Sequence, residues 1–506
     1  MPQYKQSDIT SPFWATNDGF KGGRDPMGIQ NSSVATYGRL LPGMTNLTGH
    51  IRYYSLYCWL LNEYDKVETE GKIEIHQYNF MRRAELAMAL IMKDQNVGSV
   101  VGALFVSQER YNLIKEGLYN LANGGDYDSE DKYWTYQTGA FGQYYLGSLV
   151  YYELVKIEEG RFYLRDKGKA LAAAFRESVD KDARDLFIAC IVKGRLAEEN
   201  IEVLLPLGLN RIAVNSAEWV ALNHLLTKKD EDGSSLRRET VLLMLKDLDN
   251  GIAVDDFVEH RFLNADNDDE YDASFGWYFY YLCEAFHYCI ESVFCLILNE
   301  LYDLHNPSLK VLVEDIKEKM LSYIMDEEKK YTSIEEWKQN VNGKIEEMFD
   351  KLKEFIYVKD YTQAAVQSLG LMLRLQNEYE LNKENILAFQ NENDLTRQRG
   401  ILSEGLKSYV LLHSKLPVDK YIVSIVHQIM QEHTIIAIGK MGNTDTDLRK
   451  FIFEDGRAVL VEIRYPTATS PRIDSLYNFL QDLSYIDSDG QLTDIAYNYI
   501  QNYGND

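Results

Sequence analysis

The placement of nine prolines constrains the fold of this 506-residue chain more than any other feature of its sequence. Proline breaks the interior of a helix, because it lacks a backbone N–H and its ring clashes with the preceding turn. Between Pro42 and Pro466 the chain contains only three prolines, which leaves four long gaps in which helices are allowed. Apolar residues in those gaps recur with the 3.6-residue period of an α-helix. The sequence therefore predicts a mainly α, multi-domain protein in which strands are confined to short β-hairpins.

Composition and charge exclude several classes of protein. Apolar residues make up 45% of the chain and charged residues 26%, which is ordinary for a globular protein and excludes collagen-like and low-complexity architectures. The 53 Lys and Arg residues against 78 Asp and Glu residues give a net charge of −25. A field of that sign repels DNA, RNA and anionic lipid. Any nucleic acid therefore has to bind at a local basic patch.

The apolar stretches and the cysteines indicate a cytoplasmic protein. The longest apolar stretch, residues 275–298, is interrupted by Glu284, His287 and Glu291, so we expect no membrane helix and no membrane partner. The first residues show neither the apolar core nor the cleavage site of a secretory signal. Five cysteines, an odd number without a CxxC pair, indicate a reducing compartment rather than a disulfide framework.

No pattern predicts a metal or cofactor site. Cys283, Cys289 and Cys295 recur every six residues, and six residues advance a helix by about 600°, so successive thiols point to different faces. We expect them to be small buried residues. His427 and His433 are also six residues apart, and there is no HExxH motif. The sequence predicts no metal ligand, no cofactor and no catalytic residue.

Residues 138–176 contain the most informative pattern. Helical periodicity gives way to two short extended pieces around Glu159-Gly160, and a new helical pattern starts at Arg165. We predict a helix, a hairpin with Gly160 at its tip and a second helix. Four leucines are expected to be buried together, namely Leu149, Leu154, Leu164 and Leu171.

The order of these elements resembles the second half of a winged-helix module. The residues Leu154-Val-Lys-Ile157, followed by Gly160-Arg-Phe-Tyr-Leu164 and Gly168, match the wing and the following helix of many bacterial members. Residues 470–503 contain a looser echo, with a helix-start signal, an Asp489-Gly490 hairpin turn and a final helical pattern. The resemblance implies winged-helix-like modules at both places.

Pattern and composition divide the chain into five predicted segments. The first is expected to be irregular, because it is rich in Gly, Asn, Asp and Ser. The segments are an irregular N-terminal segment at 1–48, a helical and winged-helix-like domain at 49–178, a helical domain at 179–306, a long-helix region at 307–416 and an α+β, winged-helix-like C-terminal domain at 417–506.

The winged-helix-like segment carries a local excess of positive charge. Residues 153–176 contain six cations and four anions, a balance of +2 inside a strongly acidic chain. If nucleic acid binds, we expect it at the cations of this patch. They are Lys156, Arg161, Arg165, Lys167 and Lys169. Residues 472–506 contain one cation and six Asp, so the C-terminal echo fits contact with protein instead.

One hairpin-like stretch, residues 451–464, resembles a catalytic core. It places Asp455, Glu462 and Arg464 in the order of the D…(D/E)xK core of restriction-endonuclease-like nucleases, in which two carboxylates bind Mg²⁺. Asp455 lies in an Asp-Gly turn, where Asp is expected for local reasons, and arginine replaces the lysine. We predict a structural hairpin in which Glu462 pairs with Arg464, and the nuclease stays open as an alternative.

The opening of the chain carries a second resemblance. Residues 23–30, 41–46 and 51–59 are similar to bacterial proteins encoded in phage-defence or DNA-modification islands, and this similarity carries no catalytic residue with it. We predict a non-enzymatic binding or scaffold subunit of a bacterial multiprotein assembly, with protein partners at its winged-helix-like surfaces. The alternatives are a metal-dependent nuclease that uses Asp455 and Glu462, and a DNA-binding transcription regulator.

Overall fold

The protein is mainly α-helical, with three small groups of antiparallel strands, as the sequence predicts. The computed structural model describes residues 25–72, 74–230, 232–265, 271–303, 309–325, 331–396, 401–441, 448–454 and 457–503.

Most of the described chain lies in helices, numbered here in chain order. Helices α1 to α11 are Asn31–Leu40, Arg52–Thr69, Gln77–Met92, Ala103–Leu113, Leu121–Gly125, Leu146–Tyr151, Asp166–Ser178, Lys181–Lys193, Ile201–Leu204, Ala217–Thr227 and Leu236–Asp249. Helices α12 to α22 are Phe257–Leu263, Asp272–Asp303, Leu309–Ile324, Ile334–Asn340, Ile345–Tyr357, Tyr361–Leu381, Lys383–Glu392, Leu402–Tyr409, Val418–Met441, Ile473–Asp482 and Asp494–Asn502.

The strands are two to four residues long. Strands β1 to β7 are Ile114–Lys115, Leu118–Asn120, Val155–Glu158, Arg161–Leu164, Arg195–Ala197, Phe451–Glu454 and Arg457–Leu460. Strands β3 and β4 form one hairpin and β6 and β7 another, at two of the three places where a hairpin is predicted. Strands β1, β2 and β5 form a three-stranded antiparallel sheet, in which Tyr119 lies opposite both Ile114 and Leu196. This sheet is not predicted by the sequence pattern.

The chain forms two compact units, each built from non-consecutive segments. The described residues of the first unit lie within 25–37, 261–265 and 275–469. Those of the second lie within 38–260, 271–274 and 470–503. Residues 31–40 form helix α1, although the segment 1–48 is predicted to be irregular. The five segment boundaries drawn from the sequence stay predictions.

Helix α2 is at the centre of the second unit. Its first ten residues, 52–61, are all buried. Trp59 stacks on Phe175 of α7, with ring centroids 5.0 Å apart. The buried guanidinium of Arg52 donates two hydrogen bonds of 3.0 Å to the carboxylate of Glu218 on α10. Aromatic packing and this ion pair together hold α7 and α10 against α2.

Helix α13 is at the centre of the first unit. The ring of Tyr281 meets Phe349 of α16 at 5.6 Å, and the ring of Phe294 meets His433 of α20 at 4.7 Å. Its residues 276–298 are all buried. A mostly apolar helix that is buried on every face is stable in water only when other elements cover it, and α16 and α20 do so here.

The length and composition of α13 differ from the expectation that the chain contains no helix able to span a membrane. Its stretch Asp272–Tyr302 is long and apolar enough to span a membrane, in spite of the charged residues within it. The apolar window is completely buried inside the structure, as the core helix of a protein in water also is. A single helix of this kind does not show that the chain crosses a membrane.

Candidate functional site

The predicted helix–hairpin–helix segment has the expected order of elements. One π-helical turn, Phe141–Tyr145, leads into α6, and then come β3, β4 and α7. The two residues at the hairpin tip have positive φ angles, +51° at Glu159 and +77° at Gly160, which suit a two-residue turn between twisted strands. The prediction for this segment's secondary structure is confirmed, and all four leucines expected to be buried are buried, namely Leu149, Leu154, Leu164 and Leu171.

Gly168 fixes the position of α7 on the hairpin. A β-carbon at this position would lie 2.1 Å from the carbonyl oxygen of Leu154. The same oxygen accepts a hydrogen bond of 2.9 Å from the backbone N–H of Arg165, just before α7 begins. Only glycine lets the helix approach this closely, so Gly168 couples the start of the hairpin to the start of the helix.

All five cations of the predicted basic patch form ion pairs within the chain. Arg161 pairs with Glu68 and, at 3.0 Å, with Asp65, both on α2. The other pairs are Lys156–Glu158 at 2.7 Å, Lys167–Glu153 at 3.0 Å, Arg165–Glu153 at 3.8 Å and Lys169–Asp166 at 3.3 Å. The charge balance of +2 was counted over residues 153–176 only. It does not include α2, which supplies the two carboxylates opposite Arg161. A nucleic-acid phosphate has to compete with these carboxylates.

The C-terminal echo also consists of a helix, a tight turn and a helix. Helix α21 is followed by a single β-bridge between Ile486 and Leu492 and by α22. Asp482, at the end of α21, bonds His50 through its Oδ1 at 3.0 Å and accepts a hydrogen bond of 3.0 Å from the N–H of Ile51. Trp219 donates its indole N–H to the carbonyl oxygen of Leu483 at 2.8 Å. These contacts hold the C-terminal segment against the body of the second unit.

The structure corrects the pairing predicted for the 451–464 hairpin. Glu462 pairs with Lys450, whose Nζ lies 2.5 Å from Oε2, and not with Arg464. Arg464 donates a hydrogen bond of 3.3 Å to Thr467. Asp455 lies outside the described residues. Over the part of the chain that the structure describes, no three or more His, Cys, Asp and Glu side chains are grouped so that they could hold a metal ion.

The cysteines are buried and form no disulfide bond. All five are free and buried, namely Cys58, Cys190, Cys283, Cys289 and Cys295. Burial disfavours the thiolate and raises the pKa of Cys283 and of Cys295 to about 12. A thiol with so high a pKa is protonated at neutral pH, so these two cysteines are poor nucleophiles.

A cleft of about 550 Å³ lies within the second unit, beside the helix–hairpin–helix segment. Helices α7 and α10 form two of its walls, and the end of α6 with the residues between α6 and β3 forms a third. The loop between α10 and α11 closes it. The residues that line it are Tyr151, Tyr152, Glu153, Leu154, Lys167, Ala170, Leu171, Ala221, His224, Leu225, Lys228, Lys229, Asp230, Asp232 and Arg237.

A buried ion pair forms the polar part of the cleft. Arg237 donates from Nη1 to Oδ1 of Asp230 at 2.5 Å, and from Nε and Nη2 to the carbonyl oxygens of Leu226 and Lys228. The side chains of Arg237 and Asp230 are 3% and 6% exposed. The second carboxylate oxygen, Oδ2, is buried and makes no hydrogen bond of ordinary geometry. Burial raises the pKa of Asp230, although Arg237 opposes this effect.

Sequence reasoning did not find this cleft. Of its lining residues, only Lys167 belongs to the predicted basic patch. The one signal in the sequence was the charged run Lys228-Lys229-Asp230 a few residues before Arg237. A run of that kind is usually a solvated loop, and only the fold places Asp230 in a buried ion pair.

Comparisons of the chain with protein-family models, with curated proteins and with solved structures find no match.

Proposed function

We propose that this chain is a non-enzymatic binding or scaffold subunit of a bacterial multiprotein assembly in the cytoplasm. Its contact surfaces would be the winged-helix-like segments 138–176 and 470–503. The observation that carries the proposal is the surface of the first segment, where apolar side chains are exposed and the neighbouring cations are already paired. Val150 on α6 is 39% exposed and Ile157 on β3 is 52% exposed. Exposed apolar side chains among neutralised charges suit a protein partner better than a phosphate backbone.

The second segment supports the same role by its charge. Residues 472–506 contain six Asp and one cation, so this segment repels nucleic acid. Tyr497 on α22 is 42% exposed, and tyrosine is enriched in protein interfaces. The similarity of residues 23–30, 41–46 and 51–59 to proteins of phage-defence islands supports an assembly of that kind.

The experiment is purification of the tagged full-length chain from a host that expresses the neighbouring genes. We expect a partner encoded nearby to co-purify at a fixed stoichiometry, measured by native mass spectrometry. The double variant Val150→Asp/Ile157→Asp should lose it. Val203→Asp/Val220→Asp is the matched control, because those valines are 50% and 41% exposed elsewhere in the same unit. A partner retained by the first variant, or a wild-type chain that purifies alone, would contradict the proposal.

A metal-dependent nuclease is the second candidate, and one contact favours it. Lys450 lies beside Glu462 in space and so supplies the lysine that the sequence order lacks. We nevertheless expect no cleavage, since Glu462 is held by that ion pair. The test is a DNA cleavage assay with Mg²⁺ or Mn²⁺ on the wild type and on Glu462→Gln. Metal-dependent cleavage that is lost in Glu462→Gln would establish the nuclease.

A further inference from the structure

We propose that the cleft of the second unit between α7, α10 and the loop after α10 binds a mononucleotide. This inference goes beyond the scaffold role and does not depend on it, because neither Val150 nor Ile157, the exposed residues that carry the proposed protein contact, lines the cleft. Its volume of about 550 Å³ lies in the range of sites for small organic ligands, which is roughly 300–1,000 Å³. The lining combines an apolar floor with a few polar groups, the usual composition of such sites.

The buried carboxylate of Asp230 favours a ligand that donates a hydrogen bond. Arg237 holds the carboxylate through Oδ1 and is itself fixed by three backbone carbonyl oxygens, so Asp230 has a defined position before any ligand arrives. Its Oδ2 is buried without a hydrogen bond of ordinary geometry, although the Tyr151 hydroxyl lies near enough to lower the pKa of Asp230. A buried acceptor of this kind is costly unless a partner satisfies it. The amino or ring N–H of a nucleobase is such a donor.

The aromatic side chains favour a flat ring. Tyr151 is 43% exposed at the cleft, while Tyr152 beneath it is 8% exposed and carries the guanidinium of Arg237 over its ring at 5.2 Å. The rings of the two tyrosines meet edge to face at 5.5 Å, which fixes the orientation of Tyr151. A partly exposed aromatic ring on a rigid support is a stacking platform for a base.

Two lysines at the edge of the cleft favour an anionic group on the same ligand. Lys167 and Arg237 are already paired with Glu153 and Asp230. Lys228 and Lys229 are exposed, and among the described residues their ammonium groups form no ion pair. A phosphate on the ligand can accept charge-assisted hydrogen bonds from both of them. A base, a ring platform and a phosphate site together match a nucleoside monophosphate.

Calorimetric titration of the full-length protein with AMP, GMP, CMP and UMP tests the proposal. We expect at least one of them to bind, and the variant Lys228→Ala/Lys229→Ala to weaken that binding about tenfold through loss of charge-assisted hydrogen bonds. The corresponding nucleoside, which lacks the phosphate, should bind the wild type and this variant equally. Asp230→Asn and Tyr151→Ala should each weaken both ligands.

Two further variants keep the test decisive. Asp230→Asn can disturb the fold through Arg237. Ala221→Trp therefore tests the cleft independently of this ion pair. It fills the cleft from the half-exposed face of α10 and should abolish binding. Lys344→Ala/Lys353→Ala removes two exposed lysines of the first unit and should leave binding unchanged. The proposal is overturned if no mononucleotide binds the wild type, or if Ala221→Trp and Lys228→Ala/Lys229→Ala bind as the wild type does.

Discussion

At the scale of single residues, Gly168 has a packing role that Gly147, the control glycine, lacks. A β-carbon at 168 meets the carbonyl oxygen of Leu154, whereas a β-carbon at 147, within α6, meets nothing within 4 Å. We expect Gly168→Ala to lower the free energy of unfolding by about 1–3 kcal/mol, the usual cost of overpacking. Gly147→Ala should raise it by about 0.5–1 kcal/mol through helix propensity. Urea unfolding followed by circular dichroism measures both, and equal effects of the two substitutions would refute this account.

A buried cluster on α13 makes stability depend on pH. Burial opposes protonation of His287, but the carboxylates of Glu284 and Glu291 outweigh it and raise the pKa of His287. Burial raises the pKa of Glu291 as well. The folded chain therefore binds protons at these sites more tightly than the unfolded chain, and the free energy of unfolding falls as pH rises through the folded pKa values.

The expected result is a pH slope to which His287 contributes. Its contribution is fully present below the unfolded pKa of about 6.5 and is lost as pH rises through the folded value. Urea unfolding of the wild type between about pH 5 and pH 9, the range over which histidine titrates, should show this decline. His287→Gln should reduce this decline, and the exposed His427→Gln should not. A slope identical in all three proteins would exclude His287 as its source.

At the scale of elements, the ion pairs of the hairpin predict weak binding of DNA. Because the five cations of the basic patch, in the hairpin and around the start of α7, are paired within the chain, we expect a dissociation constant no better than the weak end of non-specific binding, roughly 10⁻⁴ M at physiological salt. Arg161→Glu/Lys167→Glu should leave it unchanged, as measured by fluorescence anisotropy with duplex DNA. Tighter binding that this variant abolishes would instead make the hairpin a nucleic-acid interface and favour the transcription regulator.

Elements with strong local signals were predictable, and those held by distant contacts were not. The β3–β4 hairpin follows from Glu159-Gly160 between alternating residues, so its position could be predicted. Strand β5 is three residues long and pairs with β2, whose residue Tyr119 lies far from Leu196 in the sequence. Strands so short have no measurable alternation. The ion pair between Lys450 and Glu462 was also not predicted. It joins residues on either side of the β6–β7 hairpin, which only the fold brings together.

The cleft illustrates the same limit for a site. Its walls come from four elements, and its most informative atom is Oδ2 of Asp230, which is buried and makes no hydrogen bond of ordinary geometry. Neither fact is a property of local sequence. The charge of the basic patch was misjudged for the related reason that Asp65 and Glu68 lie about ninety residues before Arg161.

At the scale of the whole molecule, the second unit depends on the end of the chain. Asp482 bonds His50 and Ile51, Trp219 bonds Leu483, and Arg238 donates to the carbonyl oxygen of Tyr503. We expect a chain that ends at residue 469 to lose at least about 5 kcal/mol, which is the whole stability of a typical domain, and to leave this unit unfolded. A chain that ends at residue 503 is the control. Limited proteolysis distinguishes them, and equal resistance would show that the segment is dispensable.

The dependence of His50 on Asp482 has a consequence for biosynthesis. The two residues are 432 positions apart, and a ribosome adds about 5–20 residues per second, so roughly 20–90 s pass between their synthesis. Throughout that time the early helices of the second unit lack the segment that covers them. Their apolar faces are then available to chaperones and to other nascent chains. The rate of translation, more than any local folding step, therefore sets when this unit can first become native in the cell.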